Sequence, residues 1–245
     1  MEILSHFGRY VSLMLSLFTT PENFSMYWRE SFRQMNQIGI QSLPVVCVVA
    51  LFIGAVTALQ FAYQIQDFFV PIYYVGYVVR DTMIIEMAPT MTAVMLAGKV
   101  GSNMSSELGN MRITEQIDAL EIMGVNTPAY LIGTKILGTI VTIPSLVVLS
   151  AMLGMIGGLF AVVLTGLATA GQFELGLRVF FMPFNVFLML LKGTIFGFIL
   201  ASVSCYQGYF VSGGAVGIGK ASTRAVVFSD ILILISDYII AALFL

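Results

Sequence analysis

Five apolar stretches constrain this 245-residue chain more than any other feature, because each is long enough to cross about 30 Å of hydrocarbon. They run over Leu43–Tyr63, Tyr74–Ala97, Ala129–Leu167, Phe184–Tyr206 and Val226–Leu245. The first opens at Pro44, the second carries Arg80, Asp81, Glu86 and Pro89, and the third is long enough to tilt or to break at Pro144. Strands of a membrane barrel would alternate polar and apolar residues in segments of about ten, and these runs do not. Composition agrees: 58% of residues are hydrophobic and 10% charged, whereas soluble domains carry about 25% charge. Eleven basic and thirteen acidic side chains cannot cover a soluble protein of this size, so a soluble enzyme and a disordered tail are both excluded. The predicted fold is an all-α integral membrane bundle, a single domain over 1–245 with the transmembrane part at 43–245.

The first 35 residues read as an interfacial helix region rather than a cleaved signal. Tyr10, Leu13, Met14, Leu17 and Phe18 recur at helical spacing, yet the apolar stretch Val11–Phe18 is too short to span. Tyr27 and Trp28 suit headgroup depth. With the N-terminus in the cytoplasm, the inner segments hold Arg9, Arg29, Arg33, Lys99, Arg112, Lys135, Lys220 and Arg224, and only Arg80, Arg178 and Lys192 fall elsewhere. The positive-inside rule then gives an N-in/C-out topology. Cys47 and Cys205 both sit in apolar runs, which argues against a disulfide framework. His6 is the one histidine, so a histidine-built metal site or a Ser-His-Asp triad is unavailable.

The most polar segment is Gly98–Thr127. Within it Ile113, Ile117, Leu120 and Gly124 follow i, i+4, i+7 and i+11, while Glu115, Asp118 and Glu121 line another side. Thr114 is a candidate N-cap and Gly124 a natural stop, with Pro128 beyond. Such a short acidic helix either joins two spans or docks into a cytoplasmic partner, and periodicity leaves both readings open.

The residues here resemble a known family. Ala97-Gly98-Lys99, Gly101-Ser102, Glu107-Leu108-Gly109, Met111-Arg112, Thr114-Glu115-Gln116-Ile117, and Met123 with Val125 follow the signature of the MlaE/YrbE permeases, the membrane subunits of ABC-type lipid transporters. Glu86 and Pro89 match its E-x-x-P, and Gly208-Tyr209, Gly217-Ile218, Thr223-Arg224-Ala225-Val226-Val227 and Asp237-Tyr238 form a second match. Where that family often carries Arg before the glutamate, this chain has Ile85. The resemblance implies an N-terminal interfacial helix, five membrane helices and a coupling helix between the second and third. It also implies a homodimer in the inner membrane of a diderm bacterium, bound to ABC ATPase subunits and to a periplasmic ring of MCE-domain proteins. The chain would move phospholipids between that membrane and the ring, maintaining outer-membrane lipid asymmetry. ATP and Mg would be bound by the partner ATPase, so no cofactor and no catalytic residue is expected on this chain. On that basis Glu115, Gln116, Asp118 and Glu121 are the expected ATPase-coupling residues. The expected lipid pathway follows Thr57, Gln60, Phe61, Gln64, Ile65 and Phe68, with Glu86 as a gate or brace. Rival readings are an ion-coupled carrier and a permease for a sterol or another lipid.

Two further features are weighed. Gly214–Lys220 nearly spells a P-loop, but Ala221 stands where the Mg²⁺-binding hydroxyl belongs, and a turn between the last two spans is expected instead. Glu86, Lys192, Asp230 and Asp237 are ionisable residues at membrane depth, with the two aspartates on one helix face, and they form either a proton or ion relay or mutual pairs, for instance Lys192 with one of these aspartates. Gly154 with Gly158, and Gly193 with Gly197, are spaced for close helix packing.

Overall fold

The computed structural model describes residues 2–17, 24–65 and 70–244, so Phe68 of the expected lipid pathway lies outside the described residues. Eight helical elements follow in order. They are α1 (Glu2–Ser16), α2 (Phe24–Ile65), α3 (Tyr74–Ile113), α4 (Gln116–Ile122), α5 (Pro128–Leu164), α6 (Ala170–Arg178), α7 (Pro183–Tyr209) and α8 (Gly214–Phe244). Five of them, α2, α3, α5, α7 and α8, are long and apolar enough to cross a membrane.

The helices start earlier or run further than their apolar cores. No helix break marks the expected border between the region ending at 35 and a first span at Leu43: α2 is one helix from Phe24 to Ile65. Its buried positions explain why. Ser31, Gln34, Ile38, Ser42, Val46, Ala50, Gly54, Ala58 and Ala62 form one unbroken stripe at helical spacing. Pro44 faces the exposed side of that stripe, so its missing N–H removes one bond without lifting the helix off its neighbours. In the same way α5 passes through Pro144 unbroken, and α3 runs on to Ile113 through the segment expected to be cytoplasmic. The last helix begins at Gly214, not Val226, so the P-loop-like residues form its first turns. The turn before it closes on Gly213 and Gly214, both with positive φ.

The residues group into two compact units. One comprises 1–41, 93–142 and 194–245; the other comprises 42–92 and 143–193. In the first unit, Tyr10 of α1 donates to Ser202 of α7 at 2.9 Å and meets the Tyr206 ring edge-on, while Ser106 of α3 and Ser222 of α8 are 2.7 Å apart. Its buried cation is Lys135 of α5, which binds Glu107 at 2.6 Å and Gln34 at 3.3 Å.

The second unit is built around Ala58, Ala62, Val75, Val79, Met83, Val162, Ala168 and Phe173. Small residues set its spacing: a Cβ on Gly54 would overlap the carbonyl of Gly154, so α2 and α5 touch backbone to backbone. The short helix α6 starts with a reciprocal cap, in which Thr169 Oγ1 accepts from the Gln172 N–H and Gln172 Oε1 accepts from the Thr169 N–H. It then lies against α3 where Gly76 faces the Phe173 carbonyl and Gly176 faces that of Tyr73. This approach leaves no room for a side chain. Gly76→Val is therefore expected to destabilise the protein in detergent by about 1–3 kcal/mol, whereas Gly98→Ala, whose Cβ meets open space, leaves the thermal midpoint unchanged. Equal midpoints for the two variants would contradict this packing.

Candidate functional site

The polar side chains expected to carry function fall at three places. The first is the middle of α3. Over Met83–Met91 the helix widens into π geometry, a form often found at functional sites. Pro89 lies inside this segment and has no N–H. Lys192 of α7 reaches the same segment. Its ammonium donates to Ile85 O at 2.9 Å and to Glu86 Oε1 at 2.9 Å, with the lysine itself 1% exposed. Of the pairs open to Glu86, Lys192, Asp230 and Asp237, Lys192 takes Glu86 and not an aspartate of the last span. The Ile85 carbonyl beside that glutamate gives the ammonium a second acceptor. Ile85, at the position where the resembling family often has Arg, contributes its backbone oxygen. Glu86 keeps 39% of its side chain exposed, although it sits on a membrane-spanning helix.

The second place is the end of α2. Val56, Leu59, Gln60, Tyr63 and Gln64 line a concave surface of about 600 Å³, together with Leu167. Both glutamines of the expected pathway are on it. Its other described members are placed differently: Thr57 Oγ1 donates to the Ile53 carbonyl of its own helix at 2.7 Å, Ile65 packs against the core of the second unit, and Phe61 is half-buried. Helical spacing puts residues 56, 60 and 63 on one face and 57, 61 and 65 on the next, and the concavity follows the former face.

The third place is α4, and the residues that set it up differ from expectation. Thr114 does not cap it. Its hydroxyl instead donates back to Asn110 O at 2.8 Å, ending α3. Glu115 takes the left-handed conformation at φ 58 and turns the chain, so the helix is Gln116–Ile122. The stop is as expected: Gly124, at φ 85, donates to Glu121 O and Val125 to Leu120 O. Asp118 is held by Arg112 at 2.6 Å. Glu121 accepts from Thr127 at 2.8 Å and from Tyr209 at 3.1 Å. Two of the four acidic or amide residues expected to face a partner therefore fasten α4 to α3 and α7, while Glu115 and Gln116 stay exposed. Ile117 is fully buried beneath the helix, and its far end presents Ile122, 88% exposed, and Met123, 68% exposed. Asp230 on α8 has one carboxylate oxygen buried without a hydrogen-bond partner among the described residues.

The residue that sequence reasoning missed is Arg80. It is 2% exposed and ion-paired with Asp81 at 2.8 Å, and it gathers the carbonyls of Leu177 and Val179 at 2.8 Å and of Phe180 at 3.2 Å. The signal available in the sequence was an adjacent Arg-Asp pair inside an apolar stretch.

Comparison with known proteins follows this geometry. The family model described as Permease MlaE matches residues 31–243. A probable ABC transporter permease protein of Rickettsia bellii is 36% identical over 237 residues, covering 97% of this chain and 91% of the relative. The intermembrane phospholipid transport system permease protein MlaE of Haemophilus influenzae is 28% identical over 212 residues, covering 86% of this chain and 81% of its own length. The chloroplastic protein trigalactosyldiacylglycerol 1 of Arabidopsis thaliana is 28% identical over 220 residues, covering 89% of this chain and 62% of that protein. With a match that takes in all five spans and relatives of this similarity, the chain belongs to the MlaE family of ABC transporter permeases.

Proposed function

We propose that this permease moves phospholipids between the inner membrane of a diderm bacterium and a periplasmic ring of MCE-domain proteins, maintaining outer-membrane lipid asymmetry. It works as a homodimer, N-in/C-out, with ATP hydrolysed on partner ATPase subunits. The observation that carries this reading is Glu86. A carboxylate 39% exposed on a spanning helix is costly against lipid tails and belongs in a water-containing cavity or at a protein contact. Lys192 holds it facing that space. α8 supports the dimer, because only 17% of its apolar window is buried within one chain, and the buried Asp230 oxygen finds no partner there. The mixed surface with Gln60 and Gln64 supports a path that receives both headgroup and acyl chain.

ATPase binding is assigned to α4, whose contact residues are re-weighted by the geometry. Asp118 and Glu121 keep the helix in place, and Ile122 and Met123 are the anchors left free to bury in a partner groove, flanked by Glu115 and Gln116. Burial of two such side chains is worth about 1.5–3 kcal/mol each. Ile122→Asp with Met123→Asp is therefore expected to weaken ATPase co-purification by more than about tenfold while the permease still inserts in the membrane. Undiminished co-purification would remove α4 as the docking element. Glu86→Gln is expected to leave the complex assembled and to slow ATP-dependent phospholipid transfer between reconstituted vesicles and the ring protein. Full transfer by this variant, or transfer that follows an ion gradient without ATP, would overturn the reading.

A further inference from the structure

Between α6 and α7 the chain turns through Val179–Met182, and this turn combines three unusual properties. Phe180, Phe181 and Met182 are 64%, 50% and 62% exposed, a largely exposed apolar run. Phe180 adopts φ 53, a conformation that bulky residues rarely take and that must be held by its surroundings. What holds it is Arg80. The buried guanidinium binds the carbonyls of Leu177, Val179 and Phe180, lies 5.1 Å from the Tyr77 ring centre and 5.6 Å from that of Phe181, and has its charge balanced by Asp81. Two further carbonyls nearby are also matched, since Val179 N–H donates to Leu175 O and Asn185 N–H to Met182 O.

A turn facing water would not need this arrangement, because water satisfies exposed carbonyls without help. A turn entering hydrocarbon does, because there an unsatisfied backbone group is heavily penalised. The apolar run is also continuous with the exposed Phe184 and Phe187 at the start of α7, which spans the membrane. On the other side α6 ends in the exposed Arg178–Glu174 pair at 2.6 Å, which marks where the chain meets water. We propose that the Val179–Met182 turn is a wedge inserted into the lipid leaflet on its side of the membrane, with Arg80 as the clasp that makes its backbone compatible with hydrocarbon. The occupant of this surface is the acyl region of the bilayer. Inserted side chains beside the spanning helices displace lipid tails locally. The proposal rests on the spanning helices alone and stands or falls independently of which lipid is carried.

The test uses the full-length protein in phosphatidylcholine–phosphatidylglycerol vesicles. Trp28 is the sole tryptophan, so Trp28→Phe with Met182→Trp places one reporter on the turn without touching the clasp. Insertion is expected to shift its emission to shorter wavelength and to make it lose intensity to acyl-chain nitroxide lipids while aqueous iodide has little effect. Adding Arg80→Gln is expected to shift emission back and to open the reporter to iodide. Strong iodide quenching in the Met182→Trp protein itself would overturn the proposal. So would protection from both quenchers, which would mean that protein rather than lipid covers the turn. Unchanged nitroxide quenching with Arg80→Gln would overturn the role of the clasp.

Discussion

A bilayer core supplies no water to hydrogen-bond a stray carbonyl or to solvate a charge, so both must be matched from within the chain. The arrangement of this permease depends on that constraint. Lys192 donates to the Ile85 carbonyl of α3 and to Glu86. Arg80 collects the frayed carbonyls at the end of α6, where a cation is also favoured by the helix dipole. Lys135 is spread between Glu107 and Gln34. Each cation connects elements far apart in sequence, so each fixes tertiary structure as well as neutralising charge. Burying an ion pair does not guarantee net stability, but leaving one member alone is strongly unfavourable. These pairs therefore specify which helices are neighbours.

The functional proposal grows from a carboxylate on a membrane-spanning helix. Glu86 is held by Lys192 with 39% of its side chain exposed, in a helix already widened into π geometry. The Lys135 pair has the same form, a buried ammonium on a carboxylate 40% exposed, so what sets Glu86 apart is the π-widened segment that carries it. On α4, Asp118 and Glu121 are consumed by Arg112, Thr127 and Tyr209, which leaves apolar side chains as the free surface.

Much of this was legible in the sequence. Length and hydropathy sufficed for the five spans, and Gly124 announced the end of α4 because only its backbone turns that way easily. The family signature covered the segment from Ala97 to Val125. Helix starts were not legible, because hydropathy marks where a helix enters lipid and not where it begins. The stripe from Ser31 to Ala62 mixes polar and small residues and became visible only as burial. The second acceptor of Lys192 is the Ile85 carbonyl, an interaction with no side-chain pattern. The adjacent Arg80 and Asp81 were a visible signal, but the other partners of Arg80 were not, since they are backbone oxygens about a hundred residues away.

The most direct test of this account is a double-mutant cycle between Glu86 and Lys192. Glu86→Gln removes the carboxylate charge that the buried ammonium binds at 2.9 Å. The account expects Lys192→Met to destabilise the wild-type permease more than the Glu86→Gln protein, with a coupling of about 0.5–3 kcal/mol in thermal or denaturant unfolding. Strictly additive effects of the two substitutions would contradict it.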